Sequence, residues 1–218
     1  ILMADKEGTY NIPGATVMVD GNNHTSNSVT IKVLPPDKDA AQGGKSSSRN
    51  QVAGSKITDK ELFITATASK TNVYEQEAFL LTYKVYTQVN LTNLREDMSD
   101  LKGFHMQEVE LPRQKSWGLE HYNGRNYQTM IWKQYVLFPQ QTGKLEIPAI
   151  TFDATIAQMV ASADPFDAFF NGGSNYVNIN KKLVTPRINI NVKELPAGKP
   201  ANFSGGVGDF TLSSSIST

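Results

Sequence analysis

The sequence predicts an all-β fold made of antiparallel strands in two facing layers. Three observations predict it. Alternating, β-branched and aromatic runs recur at short intervals, separated by turn residues. The pattern Gly8-Thr9-Tyr10-Asn11-Ile12-Pro13 returns as Gly143-Lys144-Leu145-Glu146-Ile147-Pro148, and each copy leads into a further apolar run. Helical spacing of apolar residues occurs in one short stretch, at Leu94, Met98 and Leu101.

The elements follow in order. After the first copy of the pattern, Ala15-Thr16-Val17-Met18-Val19 corresponds to Ala149-Ile150-Thr151-Phe152 after the second. Ser28 to Pro35 resembles Ile188 to Pro196, each an alternating strand that ends in proline. Leu62–Ser69 alternates, and Ala78–Thr87 is rich in aromatic and aliphatic residues. Phe104–Leu111 is a shorter strand. Tyr127–Phe138 is the strongest. Met130, Trp132, Val136 and Phe138 lie on one face and Ile131, Tyr135 and Leu137 on the other, as in a strand covered on both sides. Pro139–Gly143 reads as a turn, Leu145–Phe152 returns, and Leu183–Val192 closes the unit. Between these strands, Asn93 is expected to cap a helix of two turns at most, with Glu96 reaching back.

Ser/Thr-rich runs give a second self-match, Phe63–Thr71 with Phe210–Thr218. The two matches divide the chain into an end, a whole and a beginning. Residues 1–36 read as the C-terminal strands of one domain and residues 58–195 as a complete domain. Residues 196–218 read as the start of a following one. Residues 37–57 hold Gln42-Gly43-Gly44-Lys45-Ser46-Ser47-Ser48 and almost no large apolar side chain, which is the composition of a flexible linker. A unit the size of 58–195 buries about two-thirds of its extended surface, enough for its own core. Closely spaced strands joined by turns make that core an immunoglobulin-like antiparallel β-sandwich. The two end pieces would leave open sheet edges, and pairing of 1–36 with the tail from Phe203 is one way to fill them.

Composition narrows the function. Lys+Arg and Asp+Glu both number 21, so nothing steers the chain to nucleic acid or an anionic surface. With no cysteine, disulfide frameworks, thiolate metal sites and cysteine nucleophiles are excluded. No run approaches the length of a membrane span, and Ile1-Leu2-Met3-Ala4-Asp5 lacks the features of a signal peptide. His24, His105 and His121 are far apart and form no ligand pair, and no Gly-x-Ser-x-Gly elbow is present. Glu108 and Glu110 share a strand face, most simply a solvated one. Asp164 and Asp167 lack the alternating oxygen ligands of a calcium loop. Neither a cofactor, a metal nor a small-molecule substrate is therefore expected, and the chain is not read as an enzyme.

Binding residues are better represented. Phe166, Phe169 and Phe170 cluster beside Gly172-Gly173 in a long connection between strands. They serve either as a lid on the core or as an exposed patch for a partner. Trp117, Arg125 and Tyr127 are residue types enriched at interfaces, and Glu120 and Arg125 flank an Asn123-Gly124 turn.

Several of these segments resemble one family. Lys102-Gly103-Phe104, Trp117, Glu120, Asn123-Gly124-Arg125-Asn126-Tyr127, Lys133–Pro139 and Gly143–Pro148 occur in its order. Asp164–Phe170 and Phe203–Phe210 extend the likeness over nearly the whole chain outside the linker. The chain thus resembles BatD, the oxygen-tolerance family of the Bacteroides aerotolerance (Bat) group. The resemblance implies tandem immunoglobulin-like domains facing the periplasm and an inner-membrane anchor outside these residues. It also implies a scaffold or adhesion role through protein–protein interactions. The implied partners are von Willebrand factor A-type Bat proteins and, indirectly, a MoxR-type AAA+ ATPase. The alternative is an accessory carbohydrate- or protein-binding β-sandwich of an extracellular protein, which a row of exposed aromatic residues would favour.

Overall fold

The computed structural model describes residues 4, 6–37, 57–96, 100–112, 115–161, 174–211 and 213–216. These residues form fifteen strands and no helix. The chain divides into two compact units. The first is Ile1–Ser48 with Gly118–Gln128, and the second is Arg49–Trp117 with Thr129–Thr218.

In the first unit, β1 (Gly8–Ile12) pairs antiparallel with β4 (Val29–Val33), from Gly8↔Val33 to Ile12↔Val29. Between them β2 (Thr16–Val19) and β3 (Asn22–Thr25) form a hairpin, Thr16↔Thr25 to Val19↔Asn22. Its two-residue turn is Asp20-Gly21, with φ of 51° and 77°. Positive φ at both central residues matches the right-handed twist of the strands, and Asp-Gly supplies it cheaply. The unit also holds β10 (Gly118–Tyr122) and the first residues of β11 (Arg125–Pro139). These join through the Asn123-Gly124 turn, where φ is again positive at both residues, 50° and 82°.

The second unit is the sandwich. One layer consists of β5 (Leu62–Ala68), β7 (Phe79–Thr87), β11 and β9 (Phe104–Glu108). The other is a continuous hairpin pair broken in the middle. β12 (Gly143–Ile147) pairs with β15 (Ile188–Lys193), and β13 (Thr151–Ala161) pairs with β14 (Ser174–Val184). Both strands break over three residues, Pro148–Ile150 on one side and Thr185–Arg187 on the other. A proline in each break removes a ladder donor. β8 (Leu91–Glu96) flanks β13 antiparallel, and the short β6 (Asn72–Tyr74) flanks β15 in parallel. Alternation along the strands places Leu62, Ile64, Leu81, Tyr83, Val85, Leu137, Ile147, Phe152, Ile156 and Ile190 in one buried cluster between the layers.

The all-β expectation holds, and the internal repeat is structural as well as sequential. β1 and β4 correspond to β12 and β15, and β2 and β3 to the proximal ends of β13 and β14, in the same register. Even the break is shared. Ser26 donates its amide to the Ala15 carbonyl and accepts the Ala15 amide on its hydroxyl, both at 2.9 Å. Thr185 does the same with Ile150, at 3.0 and 2.9 Å. One hydroxyl residue thus clamps the interrupted ladder in each unit.

One expectation is corrected. The helix proposed near Leu94 is absent: Asn93, Leu94 and Glu96 lie on β8, with Leu94 opposite Ala154 in the sheet. Leu94 gains its burial from the sandwich core, and that outweighs a three-point helical spacing. The described part of 196–216 forms no strand. Gly205 and Gly208 there have positive φ. Residues 38–56, Met98 and Phe166, Phe169 and Phe170 lie outside the described residues.

Candidate interaction surface

Comparing the two units locates the feature most suited to recognition. In the first unit, Val19 and Asn22 are bridged by Asp20-Gly21. At the corresponding positions, Ala154 and Lys181, the second unit continues instead into a longer two-stranded ribbon, described over residues 155–161 and 174–180. This arm is an insertion on a shared scaffold, and insertions in repeats collect on binding faces. β8 supports β13 from Phe152 to Ile156, and Ala157 makes a last backbone bond to Asn90 at 2.9 Å. Beyond that point the ribbon has two strands. Tyr176 is 64% exposed there and Val177 46%, and a ribbon of two strands has little core of its own.

Where the ribbon leaves the sheet, its outer face is polar. Asn93, Thr155 and Asn180 form one rung across β8, β13 and β14, and Arg95, Asp153 and Lys182 form the next. Thr155 donates its hydroxyl to the Asn180 side-chain carbonyl at 3.1 Å. Asn93, Arg95, Asp153, Thr155 and Asn180 line an open hollow of about 350 Å³.

A second cluster lies near the end of β8. The Trp132 indole donates to Glu96 at 2.8 Å, and Lys133 forms an ion pair with the same carboxylate. Burial pulls the Lys133 ammonium down, but its bonds to Glu96 and Tyr135 and the charge of Glu96 more than reverse this, holding it above its ordinary range. Lys115 stands 3.8 Å from the Trp132 ring centre and donates to the Trp132 carbonyl at 2.7 Å. Burial pushes its ammonium down. Beside it Leu111, Pro112, Ser116, Met130 and Ile131 complete a notch of about 180 Å³. A third network joins the turn after β6. Glu77 accepts Lys70 at 2.7 Å and the Tyr74 amide at 2.8 Å, and these donors hold its carboxyl below the usual range.

Of the residues singled out from sequence, Trp117, Arg125 and Tyr127 lie among the described residues. Trp117 is 42% exposed, ahead of β10. Arg125 is half-buried at the start of β11, and Tyr127 is buried, so it offers no free contact surface. The β10–β11 hairpin is fixed through Asn126, whose side-chain oxygen accepts from the His121 Nδ1–H at 2.8 Å and whose side-chain amide donates to the Pro35 carbonyl at 3.0 Å. Its backbone amide donates to the Asp37 carboxylate. Glu108 pairs loosely with Lys133 at 3.6 Å and is mostly exposed, as a solvated strand face would be. Among the described residues no group of three or more His, Asp or Glu side chains is placed to hold a metal ion. The features missed from sequence are the polar rungs and the exposed Tyr176-Val177. The place where one repeat outgrows the other marks Tyr176-Val177 in the sequence, whereas the rungs also need β8, which has no counterpart in the first unit.

A family model described as "BatD DUF11 like domain" matches residues 1–33 and 66–192. No curated protein matches the chain. The first matched segment covers β1 to β4, and the second runs from within β5 to Val192 in β15.

Proposed function

The chain belongs to the BatD family, and from that membership we propose that it is a non-enzymatic scaffold and adhesion module of the cell envelope. It works on the periplasmic side by holding protein partners. The partners proposed are von Willebrand factor A-type proteins of the Bat system, with a MoxR-type AAA+ ATPase acting through them. The observation that carries this proposal is the paired ribbon of residues 155–161 and 174–180, which stands where the sister unit has a two-residue turn and exposes Tyr176 and Val177. An elongated β-ribbon on a rigid sandwich is a common platform for recognition, because the scaffold fixes its direction while its tip is free to vary. Phe166, Phe169 and Phe170 fall within the same insertion by sequence.

Capture from crosslinked cells tests the proposal. The intact protein should retain von Willebrand factor A-type partners, whereas Phe170→Asp and Tyr176→Ser should lose them with the melting temperature unchanged. Undiminished capture by both variants would reject the arm as the contact. A melting temperature that falls with capture would assign these side chains to the core instead.

One observation favours a second function. The hollow lined by Asn93, Arg95, Asp153, Thr155 and Asn180 offers amide, guanidinium, carboxylate and hydroxyl groups of the sort that bind sugar hydroxyls. Glycan-array binding abolished by Asn93→Ala and Asn180→Ala would establish a carbohydrate-binding module. An array without signal would remove it.

A further inference from the structure

The outer edge of β14 points to a second copy of this chain. Backbone geometry identifies which groups are free. Ala157 donates to Asn90 on the β8 side, and Thr185 donates to Ile150 across the break. On β13, odd-numbered peptide groups therefore face β8 and even-numbered ones face β14. The β13–β14 register pairs Ile156 with Ile179 and Gln158 with Val177, so these β14 residues spend their backbone bonds inward. The N–H and C=O groups of Tyr176, Asn178 and Asn180 are left pointing outward. Among the described residues β14 pairs with β13 alone. β6 covers only Asn191–Lys193 of the neighbouring β15. Ile57 and Asp59 reach as far as Lys181, whose ammonium bonds them at 2.9 and 2.8 Å, and the edge from Tyr176 to Asn180 lies beyond that contact.

Exposed edge strands are usually guarded by charge, proline or a bulge. Tyr176-Val177-Asn178-Ile179-Asn180 has none of these: the β13–β14 register is unbroken, and charge begins only at Lys181. The segment is also complementary to itself. Val177 and Ile179 point to the core side, where Ile179 packs against the buried cluster. Tyr176, Asn178 and Asn180 point to the other face.

We propose that two copies join antiparallel along β14 about a twofold axis at Asn178, extending the sheet across the dimer. Asn178 then faces its own copy as a hydrogen-bonded pair, Tyr176 faces Asn180, and Val177 faces Ile179. About six inter-strand hydrogen bonds form over these residues. Lys181 and Lys182 fall opposite Asn175 and Ser174, so like charges never meet. An isologous contact of this kind closes after two copies and does not propagate. It needs no other partner, so it stands whether or not the arm captures a von Willebrand factor A-type protein.

Sedimentation velocity on the purified 218-residue chain tests it. The expected result is a concentration-dependent monomer–dimer equilibrium. Asn178→Pro removes a donor that points outward, leaving the β13 ladder whole, and Asn178→Lys sets two ammonium groups face to face. Both should be monomeric, with circular dichroism and melting temperature close to those of the parent. Asn178→Cys gives a third readout in a chain without native cysteine. Hydrogen-bonded antiparallel partners sit about 5.5 Å apart at Cα, within disulfide reach. Mild oxidation should crosslink Asn178→Cys many times faster than Val184→Cys. A parent chain that stays monomeric into the millimolar range overturns the proposal. So does a dimer that survives both Asn178→Pro and Asn178→Lys, or equal crosslinking of the two cysteine variants.

Discussion

Tyr83 carries the most conspicuous conflict at the level of single side chains. It is fully buried between Phe152, with ring centres 5.8 Å apart, and Tyr135, at 6.3 Å. Its ring packs as a large core residue should, yet its hydroxyl has no hydrogen-bond partner among the described residues. Burial, with smaller effects from Tyr135 and Glu96, pushes the phenol well above its ordinary range, so it remains a neutral, desolvated O–H. An unsatisfied buried hydroxyl costs about 1–3 kcal/mol. Tyr83→Phe should therefore stabilise the protein by about 1 kcal/mol, seen as a higher urea midpoint at unchanged slope. A lower midpoint would mean that the hydroxyl is bonded in solution. The run Ala78–Thr87 announces a core strand, and alternation correctly turns Tyr83 inward. No pattern in one strand reports whether an opposing layer offers an acceptor, so the orphaned hydroxyl is legible only in three dimensions. The same limit explains Tyr127. Its residue type suggests an interface, but residue type does not encode burial.

At the level of elements, the hydroxyl clamp decides how far each broken hairpin behaves as one strand pair. Thr185 is almost wholly buried, and its hydroxyl takes the Ile150 amide that the break would otherwise orphan. Ser26 makes the same bond in an exposed setting, where water can replace it. Thr185→Val keeps the shape but strands the amide, and should cost about 1–3 kcal/mol. Ser26→Ala should cost about 0.5 kcal/mol or less. Chemical denaturation of the two variants measures the difference. Equal losses would mean that the clamp does not act through burial. The clamp follows from the sequence once the repeat is aligned, because Ser26 and Thr185 fall at equivalent places before the matched final strands. The arm follows from the same alignment, as does the Asn123-Gly124 hairpin from its turn residues. β8 does not. Leu94 and Leu101 fit a helical spacing, whereas the pairing of Leu94 with Ala154 depends on a strand some sixty positions away. Short apolar patterns leave helix and strand undecided, and long-range burial settles the choice.

At the level of the molecule, the two copies of the repeat show what burial adds to sequence. Ile31 corresponds to Ile190 and Val17 to Phe152. The first of each pair is 41% and 59% exposed, while its counterpart is 1% or less exposed. The strands share register and clamp, and the second set lies in a core shared with the layer of β5, β7 and β11. Backbone bonds that open into water protect their amides poorly, and those beneath a packed layer open only with global unfolding. Hydrogen exchange read by mass spectrometry should therefore separate the repeats. Amides of β12 and β15 should exchange as slowly as those of β5 and β7. Amides of β1 to β4 should exchange many times faster, even though their hydrogen-bond pattern is the same. Matched protection in β1 and β12 would show that the apolar face of the first unit is covered in solution. In that case its stability would come from a contact and not from its own strands. This outcome separates pattern from packing, because both sets of strands carry nearly the same alternation and differ in what lies over it.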